Sequence, residues 1–374
     1  MDELTVNSNK KTRILLSRNN PVALVVGAAG FLGSNLVDKL LLKNIQVIGV
    51  DDLNIGKREN LSNAVEKKNF HLLISSPEKC NLEIDRLDYI FIVWEQETEF
   101  ANLLELFKKH RARLLFVSSI ELYDKGNERE KLAWFKNAEV EVARFAKEHN
   151  LNARILRLGS VFGPRMDFNH FDPMIKLIQQ SLTGDLQKEV SLEFSSRALY
   201  VDDATDLLIK CIFAGATAQK IFDGVATTPV KVSEAKQILL DPVWYESKNF
   251  IPTELPPWFT PNLEKTIKFL NWHPQTKLVE YLRKTVNYFK DNEIKVPKLV
   301  DKAGRDDRGE EDAGKWKMEK SKELEALKKI GETEKTDSKE DKGDEQILSG
   351  RNKQRNKLPK LFFPTRTLAV LAGI

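Results

Sequence analysis

The sequence predicts an α/β protein: a doubly wound parallel sheet, a smaller C-terminal α/β lobe, and a disordered charged tail. Three observations predict it. Short apolar runs without polar alternation recur between residues 21 and 163, the mark of strands buried on both faces. Amphipathic helical stretches lie between most of them, the order that builds parallel sheets. Past residue 293 the composition changes abruptly. Residues 301–350 carry sixteen acidic and twelve basic side chains, too polar a stretch to offset its ordering entropy by apolar burial.

The elements follow in order. Residues 1–20 read as a polar N-terminal extension. Val22–Val26 is the first strand, Phe31–Lys43 the helix after it, and Ile45–Val50 the second strand. Phe70–Ile74, Tyr89–Val93, Leu114–Val117 and Ala153–Leu158 are further buried strands, with helices over Glu99–His110 and Ala138–His149. These make a first domain over 21–163. Beyond Pro164 the regularity falls, and 164–292 reads mainly as a second lobe, with some later segments returning to the first; its last helix is Lys277–Lys290. Residues 293–357 read as a linker in which Leu324, Leu327 and Ile330 allow a short helix but no core. Residues 358–374 form a basic and apolar tail. Six basic residues between Arg351 and Arg366 precede the apolar Thr367–Ile374. Three readings of that end stand: a frayed tail, a patch that docks on the main domain, or the start of a membrane helix continuing past this sequence. The last would tether the main domain on the cytoplasmic side.

Composition excludes several classes. The 374 residues carry 59 basic and 55 acidic side chains, a net charge of +4, too even for nucleic acid as the main partner. Cys80 and Cys211 are the whole cysteine complement, which excludes a disulfide scaffold and fits a reducing compartment. The N-terminal stretch has no hydrophobic run of a secretory signal, and no stretch approaches the length of a membrane span. The expectation is a cytoplasmic protein, membrane-associated only through its tail. The five histidines form no ligand cluster by spacing, so no metal site is expected.

The first strand runs into Gly27-Ala-Ala-Gly30-Phe-Leu-Gly33 and then a helix. Gly27 permits a tight turn, Gly30 lets the backbone approach a pyrophosphate, and Gly33 lets helix and strand pack closely. The backbone N–H groups of this loop and helix start, including those of Ala29, Phe31 and Leu32, face an anion with the positive end of the helix dipole behind them. The second strand ends in Asp51-Asp52, with Asp51 18 residues after Gly33. A carboxylate there accepts ribose hydroxyls and repels a 2′-phosphate, which favours NAD over NADP, with Lys57 and Arg58 nearby arguing the other way. The alternative is a tight turn that binds nothing.

At these residues the chain resembles the extended short-chain dehydrogenase/reductases, the NAD-dependent epimerase/dehydratase family acting on nucleotide sugars. The spacing G-x-x-G-x-x-G is that family's form. Asp51–Asn60, the serine-bearing strand end Val117–Tyr123, the turn Arg157–Arg165, the block Arg197–Asp203 and the segment Leu270–Pro274 are similar to its recurring segments. The Gly163-Pro-Arg-Met166 stretch looks most like the UDP-glucuronate decarboxylase branch. The resemblance covers about residues 21–292. It implies a Rossmann-type domain, tightly held NAD, a UDP- or dTDP-linked sugar as substrate, and transient oxidation of a sugar hydroxyl. It also implies a homodimer paired through helices that include Ala138–His149. Ser119 is the hydroxyl expected to bond the sugar oxygen, and Ser160, Arg165 and Arg197 are expected to bind the substrate. For Ser119 a plain strand-end serine is the alternative, for Arg197 a surface salt bridge.

The chemistry of that family also needs a tyrosine with a lysine four residues later, the lysine lowering the phenol pKa toward neutrality. None of the six tyrosines is so followed. The matching stretch is Lys131-Leu-Ala-Trp-Phe-Lys136. If Lys136 is the lysine, Leu132 fills the tyrosine slot; sliding by one puts Lys131 or Ala133 there. Lys136 is carried as the candidate, against a plain surface lysine. Trp94-Glu95 stands where the family has two small residues beside the cofactor, and Ser75-Ser76 replaces its adenine-binding acid. Two functions follow from these residues: an NAD-dependent nucleotide-sugar enzyme using another base, or a catalytically degenerate member that binds its ligands as a scaffold.

Overall fold

The structure is a computed structural model. It describes residues 4–5, 12–14, 16, 19–124, 130–168, 172–186, 195–215, 220–240, 261–275 and 277–297. The linker from residue 298 onward and the 358–374 tail lie outside the described residues.

The chain forms strands β1 (Leu4–Thr5), β2 (Thr12–Arg13), β3 (Val22–Val26), β4 (Gln46–Asp51), β5 (Phe70–Ile74), β6 (Leu82–Glu83), β7 (Tyr89–Ile92), β8 (Arg113–Ser119), β9 (Asn152–Leu158), β10 (Val161–Phe162), β11 (Ser195–Ser196), β12 (Leu199–Tyr200), β13 (Ile221–Gly224) and β14 (Val230–Lys231). Its longer helices are α1 (Phe31–Leu42), α2 (Ser62–Val65), α3 (Ala101–His110), α4 (Glu130–Glu148), α5 (Pro173–Thr183), α6 (Val201–Phe213), α7 (Val232–Leu240), α8 (Leu263–Leu270) and α9 (Leu278–Asp291). The central sheet is parallel, in the order β1-β5-β4-β3-β7-β8-β9-β13. This is the Rossmann-type doubly wound sheet that the sequence predicts. The order reverses between β3 and β7, which opens a crevice at the carboxyl ends of those two strands. Two elements differ from expectation. The N-terminal extension supplies a two-residue edge strand beside β5. Helix α4 begins eight residues earlier than expected, because Leu132, Trp134 and Phe135 extend its buried face.

The apolar strands have no polar face because both faces are covered. Ala23, Val25, Val47 and Phe91 pack with α1, α5 and α6. Val22, Leu24, Val26, Ile48 and Ile90 pack with α3 and α4. Successive side chains point to opposite faces of a strand, so both sets must be apolar. Caps follow local chemistry. Asp172 accepts the Met174 N–H at the start of α5, Pro173 occupies its first turn, and Gly184 closes it at φ +77°.

The carboxyl end of α6 is capped by arginines from the sheet. Arg154, 2% exposed, donates to the carbonyls of Cys211, Ala214 (2.8 Å) and Gly215 (2.7 Å), and Arg113 to those of Ile212 (3.3 Å) and Phe213 (3.2 Å). Two cations at a helix carboxyl end complement its dipole and satisfy otherwise orphaned carbonyls. Arg154→Met keeps the side-chain volume but strands those carbonyls. We expect a loss of about 2 kcal/mol, read as a fall of about 4–8 °C in the thermal unfolding midpoint.

Among the described residues, no helix is long and apolar enough to cross a membrane, and no group of three or more His, Cys, Asp or Glu side chains could hold a metal ion.

Candidate functional site

The crevice between β3 and β7 is built from backbone. Gly27 stands at φ +83°, and its N–H donates to the Val50 carbonyl at 2.8 Å. A Cβ at Gly27 would overlap the Val93 carbonyl oxygen, and one at Gly33 would overlap the Gly27 carbonyl oxygen. Both positions therefore require glycine for packing. Gly30 differs: a Cβ there would meet nothing nearer than the Gly27 oxygen at 3.3 Å. Helix α1 starts at Gly30 with no side-chain cap and no acid in its first turn. Phe31 and Leu32 pack partly against the first core cluster. The Ala29 N–H, expected to face an anion, is instead taken by the Asp51 carboxylate, and the Gly30 N–H by the Gly27 carbonyl at 3.2 Å, because the tight turn folds the loop back on itself; what remains for the diphosphate of a dinucleotide is the start of α1 from Phe31 onward.

The acids after β4 are engaged locally. Asp51, 2% exposed, accepts the Ala29 N–H and the Leu53 N–H, each at 2.9 Å. Burial pushes its carboxyl pKa up, against those two hydrogen bonds. The Gly30 backbone also favours the charged form, and Gly56 packs close against both carboxylate oxygens. The neighbouring Asp52 is partly exposed and accepts from the Asn54 backbone at 3.0 Å and side chain at 2.7 Å.

The residues after β7 are turned away from the crevice in different directions. Trp94, 6% exposed, is buried in the core cluster of α3 and α4. Glu95 meets Lys131 of α4 at 2.9 Å. The Trp134 indole donates to the Thr98 carbonyl at 3.3 Å, tying the same loop to α4. Ser75 and Ser76 are used locally: Ser75 donates to the Ser76 carbonyl, and Ser76 to Glu78.

Ser119 ends β8 and caps the turn that follows, its Oγ accepting the Glu121 N–H at 3.2 Å. Behind it lies a polar network that the sequence did not reveal. Arg157 on β9 makes a bidentate pair with Glu139 on α4, at 2.9 and 2.7 Å. Its guanidinium lies 4.7 Å from the centre of the Tyr123 ring. The Tyr123 hydroxyl donates to Asp223 on β13 at 3.0 Å, and Asp223 also accepts the Asn262 N–H at 2.6 Å. Hydrogen bonds to Glu139 raise the Arg157 pKa; burial, then Asp223, raises that of Tyr123. Glu139 and Arg157 are 18 residues apart and Tyr123 and Asp223 are 100 apart. No local spacing flags either pair.

Leu132 and Phe135 are buried, 6% and 5% exposed, whereas Lys131 and Lys136 are exposed. Tyr200 and Tyr281 stack on each other at 3.9 Å, and Tyr89 packs on Phe213. The described tyrosines and histidines thus include no phenol or imidazole paired with Ser119.

Of the residues read as substrate-binding, Ser160 lies between β9 and β10, its carbonyl accepting the Leu199 N–H at 2.9 Å. Arg165 is held by α1: it pairs with Asp38 at 2.6 Å, with its own backbone at φ +73°. Arg197 lines a cleft of about 370 Å³ with Pro261, Asn262, Leu263 and Glu264. Its Nη1 donates to the Ala226 carbonyl at 3.3 Å, and its Nε is buried with no partner among the described residues.

The sequence model of the "NAD dependent epimerase/dehydratase family" matches residues 23–221. The chain belongs to this family. It is an NAD-dependent family of nucleotide-sugar epimerases, dehydratases and decarboxylases. Curated relatives include UDP-glucuronic acid decarboxylase 3 of Arabidopsis thaliana, 27% identical over 296 residues covering 69% of this chain and 86% of that one. UDP-glucuronic acid decarboxylase 1 of Danio rerio is 24% identical over 313 residues, 74% of each chain. In fold, the chain is similar to UDP-glucose 4-epimerase of Thermotoga maritima, solved with UDP-glucose. The TM-score is 0.57 at 24% identity, over 72% of this chain and 99% of that one. It is likewise similar to WbmF of Bordetella bronchiseptica, solved with NAD+ and UDP. There the TM-score is 0.61 at 19% identity, over 73% and 93% of the two chains.

Proposed function

We propose that this chain binds NAD along the Gly27–Gly33 mouth and a UDP-linked sugar against Arg197, and acts as a binding or scaffold member of the family without redox turnover. The observation that carries the reading is α4, which buries Leu132 and Phe135 and turns Lys131 and Lys136 to solvent. Bound NAD would supply a hydride acceptor. Hydride leaves a sugar hydroxyl carbon only as a base takes the hydroxyl proton, and losing that base costs about 10²–10⁴ in rate. Ser119 can hold a sugar oxygen by a hydrogen bond, but a neutral serine hydroxyl is no base without a partner to take its proton. Lys131 is half exposed and paired with Glu95; an ammonium has no lone pair to accept a proton. Tyr123 is bound to Asp223, with burial and that carboxylate both favouring the protonated phenol.

The nucleotide-sugar half of the reading draws on the names of the relatives and on Arg197. A half-buried guanidinium whose described partner is one backbone carbonyl gains from a diphosphate that can accept its remaining donors.

Calorimetry with NAD and with UDP, followed by addition of UDP-glucuronate or UDP-glucose to NAD-loaded protein, tests the proposal. We expect both ligands to bind and no NADH absorbance to develop. NADH forming on addition of either sugar restores the enzyme reading, and absence of NAD binding refutes the cofactor assignment.

A further inference from the structure

The cleft beside Arg197 is lined by two segments, and both are fastened at the end of β13. Arg197 is bonded twice to Ala226, which lies two residues past that strand. The Ala226 N–H donates to the Arg197 carbonyl at 3.0 Å, and Arg197 Nη1 to the Ala226 carbonyl at 3.3 Å. The second segment, Pro261–Glu264, runs into the start of α8, and Asp223 of β13 holds it. Its Oδ2 accepts the Asn262 N–H at 2.6 Å. Its backbone exchanges two hydrogen bonds with the buried Thr266 hydroxyl, at 3.1 and 2.8 Å. Asn262 in turn caps α8, its side chain accepting the Lys265 N–H at 3.3 Å.

The Asp223 carboxylate is also held from the other direction. The Tyr123 hydroxyl lies 3.0 and 3.2 Å from its two oxygens, and Tyr123 ends the turn that Ser119 caps. Asp223 is only 3% exposed. A carboxylate is costly to bury, and an apolar side chain of similar volume serves a core as well. What an apolar side chain cannot do is hold the N–H of a cleft-lining residue and the phenol of the Ser119 turn together.

We infer that Asp223 is a positioning residue for the nucleotide sugar: it holds Pro261–Glu264 where that segment and Arg197 line one cleft, and ties the cleft to the Ser119 turn. This rests on the proposal that a UDP-linked sugar lies against Arg197. A lining segment fixed before the ligand arrives spares binding the cost of ordering it.

Calorimetry with UDP, with NAD as the control ligand, tests the role in the natural chain, Asp223→Leu, Asp223→Asn and Tyr123→Phe. Leucine nearly keeps the shape but accepts no N–H, so UDP should bind about tenfold more weakly. Asparagine keeps an acceptor for Asn262 and should bring UDP back to within about threefold of the natural chain. NAD binds elsewhere and should bind every variant within about twofold of the natural chain; a change that merely loosened the fold would weaken both ligands together. Tyr123→Phe removes one hydroxyl and decides the matter if Asp223→Leu does not fold: UDP should weaken about threefold with NAD unchanged. Unchanged UDP affinity in Asp223→Leu, or in Tyr123→Phe where the leucine variant does not fold, overturns the inference. So does a parallel loss of NAD, or an asparagine variant as weak as the leucine one. In each case the natural chain still binds UDP, so the proposed function survives. A natural chain that does not bind UDP ends both.

Discussion

Gly30→Val should abolish NAD binding while leaving the fold intact, and Gly33→Val should damage both. The two glycines stand three residues apart in one loop, yet face different surroundings. The Gly30 backbone is extended, at φ −70° and ψ 174°, which any residue adopts, and a Cβ there would meet only the Gly27 carbonyl oxygen, at 3.3 Å, a close contact that a shift of a few tenths of an ångström relieves. A valine there costs the fold about 1 kcal/mol at most, through a poorer helix start, but fills the space a diphosphate needs. We expect an affinity loss on the order of 100-fold or more with a midpoint shift of only about 2–4 °C. A Cβ at Gly33 would overlap the Gly27 carbonyl oxygen and crowd the Ala28 Cα. Backbone cannot step aside as a side-chain tip can, so this variant should fail to fold or melt far lower. Calorimetry and thermal unfolding on the pair check the contrast. Full NAD affinity in Gly30→Val would remove the diphosphate from the mouth.

Glu139→Ala should be strongly destabilising. It removes both acceptors from Arg157, whose side chain is only 19% exposed. An unpaired, largely buried guanidinium costs about 3 kcal/mol, or about 6–12 °C in midpoint. The loss should extend to Tyr123, which the same guanidinium covers, and so to the hydroxyl bond with Asp223. Glu139→Gln keeps one acceptor and should lose about half as much. The control is Glu280→Ala, which breaks an ion pair of similar length, 2.8 Å, between side chains 52% and 51% exposed. That variant should melt with the natural chain. If Glu139→Ala does the same, the network is decoration on a fold held by its core.

The fold was legible because its signals are local. Apolar runs such as Val22–Val26 and Ile45–Val50, with both strand faces apolar, announce a sheet covered on both sides. A glycine that must stand at φ +83° announces the turn after the first strand. Even here the edges escaped: Leu4–Thr5 joins the sheet through backbone pairing with Leu73–Ile74, which needs no apolar signal.

The site was legible only in its backbone half. The glycine turn and the helix start after it are local structure, so spacing alone predicts them. The side chains around it are not. Trp94 and Glu95 read as obstacles to a cofactor, yet the ring enters the core and the acid turns to α4. Arg165 reads as a substrate residue, yet Asp38 of α1 holds it at 2.6 Å. Asp51 reads as a ribose acceptor, and it also stitches the glycine loop to the second strand.

What the sequence alone determined is therefore the order of strands and helices, the glycine mouth, and the absence of a tyrosine followed by lysine four residues on, since each depends on neighbours in the chain. Tertiary structure decided which face of α4 is buried, where Lys131 finds its partner, and how Glu139, Arg157, Tyr123 and Asp223 converge from four elements. Those outcomes depend on contacts between residues as much as 100 positions apart, and burial makes each charge's partner depend on the packing of the whole sheet.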